Sequence, residues 1–239
     1  MMTFHRFGER ALLINFEQKI DSEINELVIQ LSQQIQISNI SEITFQTPAY
    51  CSLTIGFNPD LISFEDLCKK IQNISTNKQQ GRSSINFRKL NIPVCYSESY
   101  SIDIQSVINE TKLSQTEIIE LHTSTEFRVF MIGFLPGFTY MGKLPEPLFC
   151  PRKKNPNLRI PAQSVGLAGY QTGIYPSESP GGWQIIGRTP IPIFEPTSEN
   201  PFLFQAGDLV QFYSITAQDF TLIEQDIRFG QFDKNQLYE

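Results

Sequence analysis

Residues 131–190, a quarter of this 239-residue chain, hold 9 of its 14 glycines and 9 of its 15 prolines. They cluster in GFLPGFTYMG, IPAQSVGLAG, YQTGIYPSESPGGW and IIGRTP. Ordinary core packing does not call for such a composition. Glycine is used where backbone turns with positive φ or approaches another group closely, and proline fixes the connecting segments, so this stretch is expected to be shaped backbone. It also carries a formal charge of +4 in a chain whose total is −6, leaving −10 on the remainder. A locally basic, glycine-lined surface on an acidic protein suits a small anionic ligand better than nucleic acid, which requires a broad basic face.

The length accommodates one large domain or two ordinary ones, and two fit the pattern better. With 40% hydrophobic and 18% charged residues the composition is globular. The longest apolar run, Val129 to Phe138, is broken by Gly133, Pro136 and Gly137, so no membrane span is expected. Glu9, Arg10 and Glu17 interrupt any leader-like stretch, which points to the cytoplasm. Cys51, Cys68, Cys95 and Cys150 form no C-x-x-C pair and read as reduced, mostly buried thiols. Only His5 and His122 are histidines, so neither a metal site nor a cysteine nucleophile with a paired base is expected. No P-loop, no G-x-G-x-x-G and no G-x-S-x-G is present, which disfavours a self-contained ATPase, a dinucleotide enzyme or a serine hydrolase.

Arg10 to Phe16 reads as a strand. Asp21 is the expected N-cap of a helix with Ile24, Leu27, Val28, Leu31 and Ile35 on its apolar face. Strands at Ile43 to Phe45 and Ser52 to Phe57 follow, then a helix opened by Ser63-x-x-Asp66. This order predicts an N-terminal ferredoxin-like α/β sandwich over residues 1–80, a scaffold or docking module without catalytic residue types. The polar stretch Ser75 to Ser84 reads as a linker. Residues 85–230 form the second domain, with a strand over Phe87 to Tyr96, helices over Asp103 to Asn109 and Ser114 to His122, and a strand at Glu126 to Phe134. Short apolar segments between Gly/Pro turns, the strand Leu209 to Tyr213 and a last helix from Ala217 to Ile227 suit a compact β-barrel. The fold class is thus α+β.

Gly133 and Gly137 can present backbone N–H groups to an anion, or build a tight barrel corner packed by Phe134, Phe138 and Tyr140. Gln171, Thr172 and Tyr175 offer neutral hydrogen-bonding groups suited to an amide or lactam. Ser179 and Gly182 frame Trp183, whose expected role is core filling. Arg159 and Arg188 are the candidate anion clamps, while Lys153 and Lys154 are expected to be solvated. His122 is expected as a cation at a helix C-terminus, with a general base as the open alternative.

Those motifs, with the late PFLFQAGDLVQF and the earlier GERALLINF, TPAYCSLTI and IPVCY, resemble the family of 5-oxoprolinase B subunits, also described as KipI-like or allophanate hydrolase subunit 1. The resemblance spans nearly the whole chain. It implies a cyclophilin-like barrel after the ferredoxin-like domain, and ATP-dependent opening of 5-oxo-L-proline to L-glutamate with subunits A and C. ATP, with Mg, would be bound at a site shared with or carried by a partner. It also admits a second role, inhibition of a sporulation histidine kinase. A proline isomerase is suggested only by the barrel. Gln163 stands where the family has glycine before Ser164, Thr139 replaces a frequent proline, and CYSES lacks the glycines that often follow CY.

Overall fold

A computed structural model describes residues 2–76 and 87–239, and the chain divides into two compact units, Met1–Asn86 and Phe87–Glu239. Of the expected linker, Ser75 and Thr76 close a helix, and the rest lies outside the described residues.

The N-terminal unit runs β1 (Thr3–Arg6), β2 (Ala11–Asn15), α1 (Ser22–Ile37), β3 (Ile43–Pro48), β4 (Ser52–Phe57) and α2 (Phe64–Thr76). Its strands form an antiparallel sheet in the order β1-β2-β4-β3. Asp21 caps α1, accepting from the backbone N–H groups of Glu23 and Ile24 at 2.9 and 3.3 Å. The apolar stripe is narrower than its spacing suggests. Val28, Leu31 and Ile35 are buried, whereas Leu27 faces solvent. Asn25 is buried beside them, its amide donating to the carbonyls of Ala49 and Tyr50 in the β3–β4 turn, so the buried polar group keeps its hydrogen bonds.

The second unit contains β5 (Lys89–Cys95), α3 (Ile104–Thr111), α4 (Gln115–Ser124), β6 (Glu126–Ile132), β7 (Thr139–Gly142), β8 (Asn157–Ile160), β9 (Ser164–Ala168), β10 (Gln171–Ile174), β11 (Ser179–Gly181), β12 (Gln184–Arg188), β13 (Leu209–Ile215) and α5 (Ala217–Arg228). Seven strands close a barrel in the order β10-β7-β6-β13-β5-β12-β9, with β9 and β10 completing the ring. Closure abolishes sheet edges. β5 and β13, from opposite ends of the unit, run parallel, and the Arg88–Asp208 ion pair ties their starts together. β8 and β11 form a separate two-stranded ribbon. Capping boxes open α4 at Ser114/Glu117 and α5 at Thr216/Asp219. The unit continues past residue 230, for Leu237 is buried and Tyr238 bridges to Leu90. The protein is therefore mixed α and β, with a closed seven-stranded barrel and five α-helices among the described residues.

Alternation along β7 and β10 divides two clusters. Met141 and Ile174 join the large core, whereas Tyr140 joins a smaller aromatic cluster of Phe138, Tyr175 and Trp183. Glycine makes the seat for that cluster. The Trp183 ring lies 3.1 Å from where a Cβ on Gly173 would sit, and its own Cβ is as close to that position on Gly166. Any Cβ on Gly173 would also run into the carbonyl oxygen of Thr139, and one on Gly181 into the Tyr175 hydroxyl.

His122 departs from the expectation of a cationic helix end. It is fully buried and stacks on Phe212 with ring centroids 4.6 Å apart. Burial lowers its pKa to about 3, so the imidazole is neutral. The hydrogen bonds fix its tautomer. The Thr172 hydroxyl donates to the Gly166 carbonyl (3.2 Å), so its oxygen accepts from Nε2–H (2.9 Å), and Nδ1 accepts from the Tyr96 hydroxyl (2.8 Å).

Two outcomes follow from this packing. Gly173→Ala is expected to destabilise the protein by about 1–3 kcal/mol, whereas Gly182→Ala, whose new Cβ would find its nearest neighbour at 3.6 Å, should change stability by less than about 0.5 kcal/mol. Urea unfolding followed by Trp183 emission measures both. For His122, the unfolded chain takes up a proton near pH 6.5 that the folded chain refuses until about 3. Its contribution is therefore complete above pH 6.5 and is lost as pH falls through that window, by up to about 1.4 kcal/mol per pH unit. Between pH 7.5 and 4.5 the wild type should lose about 2.7 kcal/mol more stability than His122→Gln, despite the variant's lower starting stability. Equal losses would show that His122 is not held neutral.

Candidate functional site

The smaller aromatic cluster carries the densest convergence of polar and cationic groups in the glycine-rich stretch. Phe138 meets Tyr140, Tyr175 and Trp183 edge-on at centroid distances of 4.9, 5.0 and 5.3 Å, an arrangement aromatic quadrupoles favour. Burial pushes the Tyr175 phenol up to about 12, opposed by donation from the Trp183 backbone N–H and by the charge of Arg152. Burial also raises Tyr140, again opposed by Arg152. The Arg152 guanidinium lies 5.8 Å from the Trp183 ring centroid.

Beside this cluster, Asp103 accepts from the Lys153 ammonium, from the Asn157 amide at 3.2 Å and from the Ile185 backbone N–H at 3.0 Å. Lys153 also donates to Asn157 Oδ1 at 2.9 Å and, through its backbone N–H, to the Gly182 carbonyl at 2.7 Å. The expected solvated role holds for Lys154, which is exposed, but not for Lys153. Burying a carboxylate to 7% exposure is costly without such partners. Asp103 precedes α3 yet its side chain makes no capping bond to that helix. Among the described residues, the buried Ser179 Oγ and Gln184 Oε1 have no hydrogen-bond partner.

The residues singled out from sequence are only partly brought together. Tyr175, Ser179 and Gly182 surround Trp183 and the Asp103–Lys153–Asn157 network. Arg188 lies near them through backbone links, because Gln163 N–H donates to the Tyr175 carbonyl at 2.7 Å and the Arg188 guanidinium reaches the Ala162 carbonyl and Gln163 Oε1 at 2.8 and 3.4 Å. Gln171 is half-buried at the start of β10, opposite Gly142 and Ala168. Two side chains stand apart. Thr172 is fully buried and bound to His122. The Arg159 side chain is 78% exposed on the ribbon, paired with Glu178 at 2.7 Å.

Gly133 and Gly137 form the tight corner rather than an open nest of donors. Gly133 N–H donates to the Phe138 carbonyl at 3.1 Å, and Gly137 has φ +86° with Phe194 Cβ 2.9 Å from where its own Cβ would be. Phe134 in the same corner has φ +70° and is 66% exposed, a costly conformation for a bulky residue. Gln163 adopts φ +61°, which accounts for glycine being the expected residue there. Its side chain, which glycine lacks, is what Arg188 contacts.

As site residues Asp103, Asn157, Tyr140 and Arg152 escaped the sequence reading, which gave Tyr140 only a packing role. The PRKK run advertised charge, but nothing local announces a partner 50 residues earlier. Two grooves lie elsewhere, about 390 Å³ between α1 and β3 and about 660 Å³ beside α4, and neither gathers such a set of groups.

Residues 2–204 match the family model described as carboxyltransferase domain, subdomain C and D. The chain is 35% identical to the B subunit of 5-oxoprolinase from Bacillus subtilis, covering 90% of this chain and 93% of that one. It is 34% identical to the B subunit of 5-oxoprolinase from Escherichia coli O157:H7, covering 86% and 92%. The crystal structure of TTHA0988 superposes with a TM-score of 0.78 at 31% identity over 87% of this chain, which spans only 40% of that longer one. The chain belongs to the family of 5-oxoprolinase B subunits, built on carboxyltransferase subdomains C and D.

Proposed function

We propose that the protein is the B subunit of an ATP-dependent 5-oxoprolinase, opening 5-oxo-L-proline to L-glutamate together with subunits A and C. The observation that carries this reading is near-full-length identity to proteins named as that subunit. A subunit name calls for companions, and the longer TTHA0988 chain joins a segment like this one to further sequence. Neither a kinase inhibitor nor an isomerase is named among the relatives above. In this reading the two units are the ferredoxin-like and cyclophilin-like domains that the family implies, and the sheet order β1-β2-β4-β3, with β1 in the place of a fourth strand, supports the first of these. No helix among the described residues is long and apolar enough to cross a membrane; a cytoplasmic location is part of the proposal.

A lactam is resonance-stabilised, and ATP would supply a phosphoryl group to activate its carbonyl oxygen. No P-loop occurs, and no group of three or more His, Cys, Asp or Glu among the described residues could hold a metal ion by itself, so nothing here makes a self-contained nucleotide–metal site; Mg held by one or two carboxylates and the phosphates would complete its site with a partner's groups. We therefore assign ATP and Mg to a site shared with or carried by a companion subunit and derive no step through them. This chain's part is to bind and orient. In this reading Gln171, Tyr175, Ser179 and Gly182 shape the lactam-facing surface, and Arg188 supplies positive charge. Thr172, Gly133 and Gly137 support that surface from behind, while Arg159 engages an anion only by exchanging it for Glu178.

Reconstituting the chain with subunits A and C should give glutamate release that depends on both ATP and 5-oxo-L-proline, and the chain alone should give none. Arg188→Ala in that complex is expected to lower kcat/KM by about tenfold or more, as loss of charge-assisted hydrogen bonds does. Unchanged turnover removes Arg188 from the site, and turnover by the isolated chain overturns the subunit assignment.

A further inference from the structure

We propose that Arg152 is the carboxylate anchor of a small-ligand subsite beside Tyr140, over the buried Trp183. The inference rests on the 5-oxoprolinase reading for the identity of the ligand, a five-membered lactam bearing one carboxylate. Three arginines lie in the glycine-rich stretch, and two are committed. Arg159 is neutralised by Glu178, and Arg188 is engaged by the Ala162 carbonyl and Gln163 Oε1. Arg152 makes no hydrogen bond or ion pair among the described residues, and its side chain is exposed. A guanidinium in that state presents a planar fork of N–H donors matched to a carboxylate.

Its base is held while its head is open. On one side the Pro151 carbonyl accepts from the Gln184 amide at 3.4 Å. On the other, Lys153 is fixed by its backbone bond to Gly182 and by Asp103 and Asn157. Pre-organisation of this kind lowers the entropy cost of binding. Tyr140, half-buried, meets the 4%-exposed Trp183 edge-to-face at 5.8 Å, so the accessible aromatic surface beside Arg152 is that of Tyr140 with Trp183 packed against it, and Gly182 adds no side chain there. The exposed Lys154 adds positive potential that attracts an anion without fixing its geometry.

Trp183 is the only tryptophan, so its emission reports on the subsite in the full chain without partners, ATP or turnover. Titration with 5-oxo-L-proline is expected to give a saturable change, and 2-pyrrolidinone, the same ring without the carboxylate, none at equal concentrations. Arg152→Ala should weaken the response about tenfold or more, and Arg152→Lys, which keeps charge but loses the fork, should fall between. Equal affinity in Arg152→Ala, an equal response to 2-pyrrolidinone, or no response from the wild type overturns the subsite. Inorganic phosphate binding as tightly as 5-oxo-L-proline overturns the carboxylate assignment. Turnover of the reconstituted complex separates this proposal from the reading beneath it. An active complex whose KM is unchanged by Arg152→Ala sinks the subsite alone, whereas an inactive complex alongside an intact Trp183 titration sinks the enzyme reading alone.

Discussion

The seating of Trp183 over two barrel glycines is the constraint from which the rest of the second unit follows. An indole can pack this close to a sheet only where the strands beneath it give up their side chains, as Gly173 does under the ring and Gly166 under the Trp183 Cβ. Glycine within a strand costs about 0.5–1 kcal/mol relative to alanine. An aromatic ring removes about 150–250 Å² from water, which at about 25 cal/mol per Å² amounts to about 4–6 kcal/mol as an upper estimate. Burial therefore outweighs the backbone penalty several times over. The high glycine content is a requirement of close aromatic packing as much as of ligand approach, which is why composition alone marks the region without saying which glycines touch a ligand.

Electrostatics in the same region separates fixed charge from available charge. Arg159 and Glu178 meet at the surface, where solvent screens an ion pair and it fixes little. Asp103 is different, because it is nearly buried and collects two side-chain donors and one backbone donor. Removing one of those partners would leave an uncompensated charge, the costly case. By serving Lys153, Asn157 and Ile185 instead of the first turn of α3, Asp103 joins three stretches of chain at the edge of the aromatic cluster.

Features that depend on neighbours in sequence were legible. The Asp21 cap, the Ser114/Glu117 box and the helix beginning at Ala217 all follow from residues within a few positions of one another. Features that depend on distant partners were not. His122 sits where a helix-end cation would be placed, yet the surrounding Phe127, Phe212, Tyr96 and Thr172 come from elsewhere in the chain and make it neutral. Lys153 and Lys154 are indistinguishable locally, and only Asp103 separates them. β1 is short and too mixed in pattern to announce itself, becoming a strand because β2 offers it an edge. Gln163 lies between these cases. Family pattern flagged the missing glycine, and the left-handed backbone supplies the reason.

Thr172 connects the two halves of the barrel's chemistry. As a polar residue in a glycine-rich motif it invites the role of ligand contact, but period-two alternation turns its hydroxyl toward His122 and leaves Gly173 facing the indole. The hydrogen-bond chain from Tyr96 through His122 and Thr172 ends on the carbonyl of Gly166, the glycine against which Trp183 rests. β9 and β10 are thus pinned together by a buried polar relay directly behind the aromatic cluster. A fully satisfied network in a low-dielectric core is rigid, so the floor beneath Trp183 cannot shift without breaking hydrogen bonds that water cannot reach to replace. Polarity in this motif acts from the core side, holding flat the surface that the rings and Arg152 occupy.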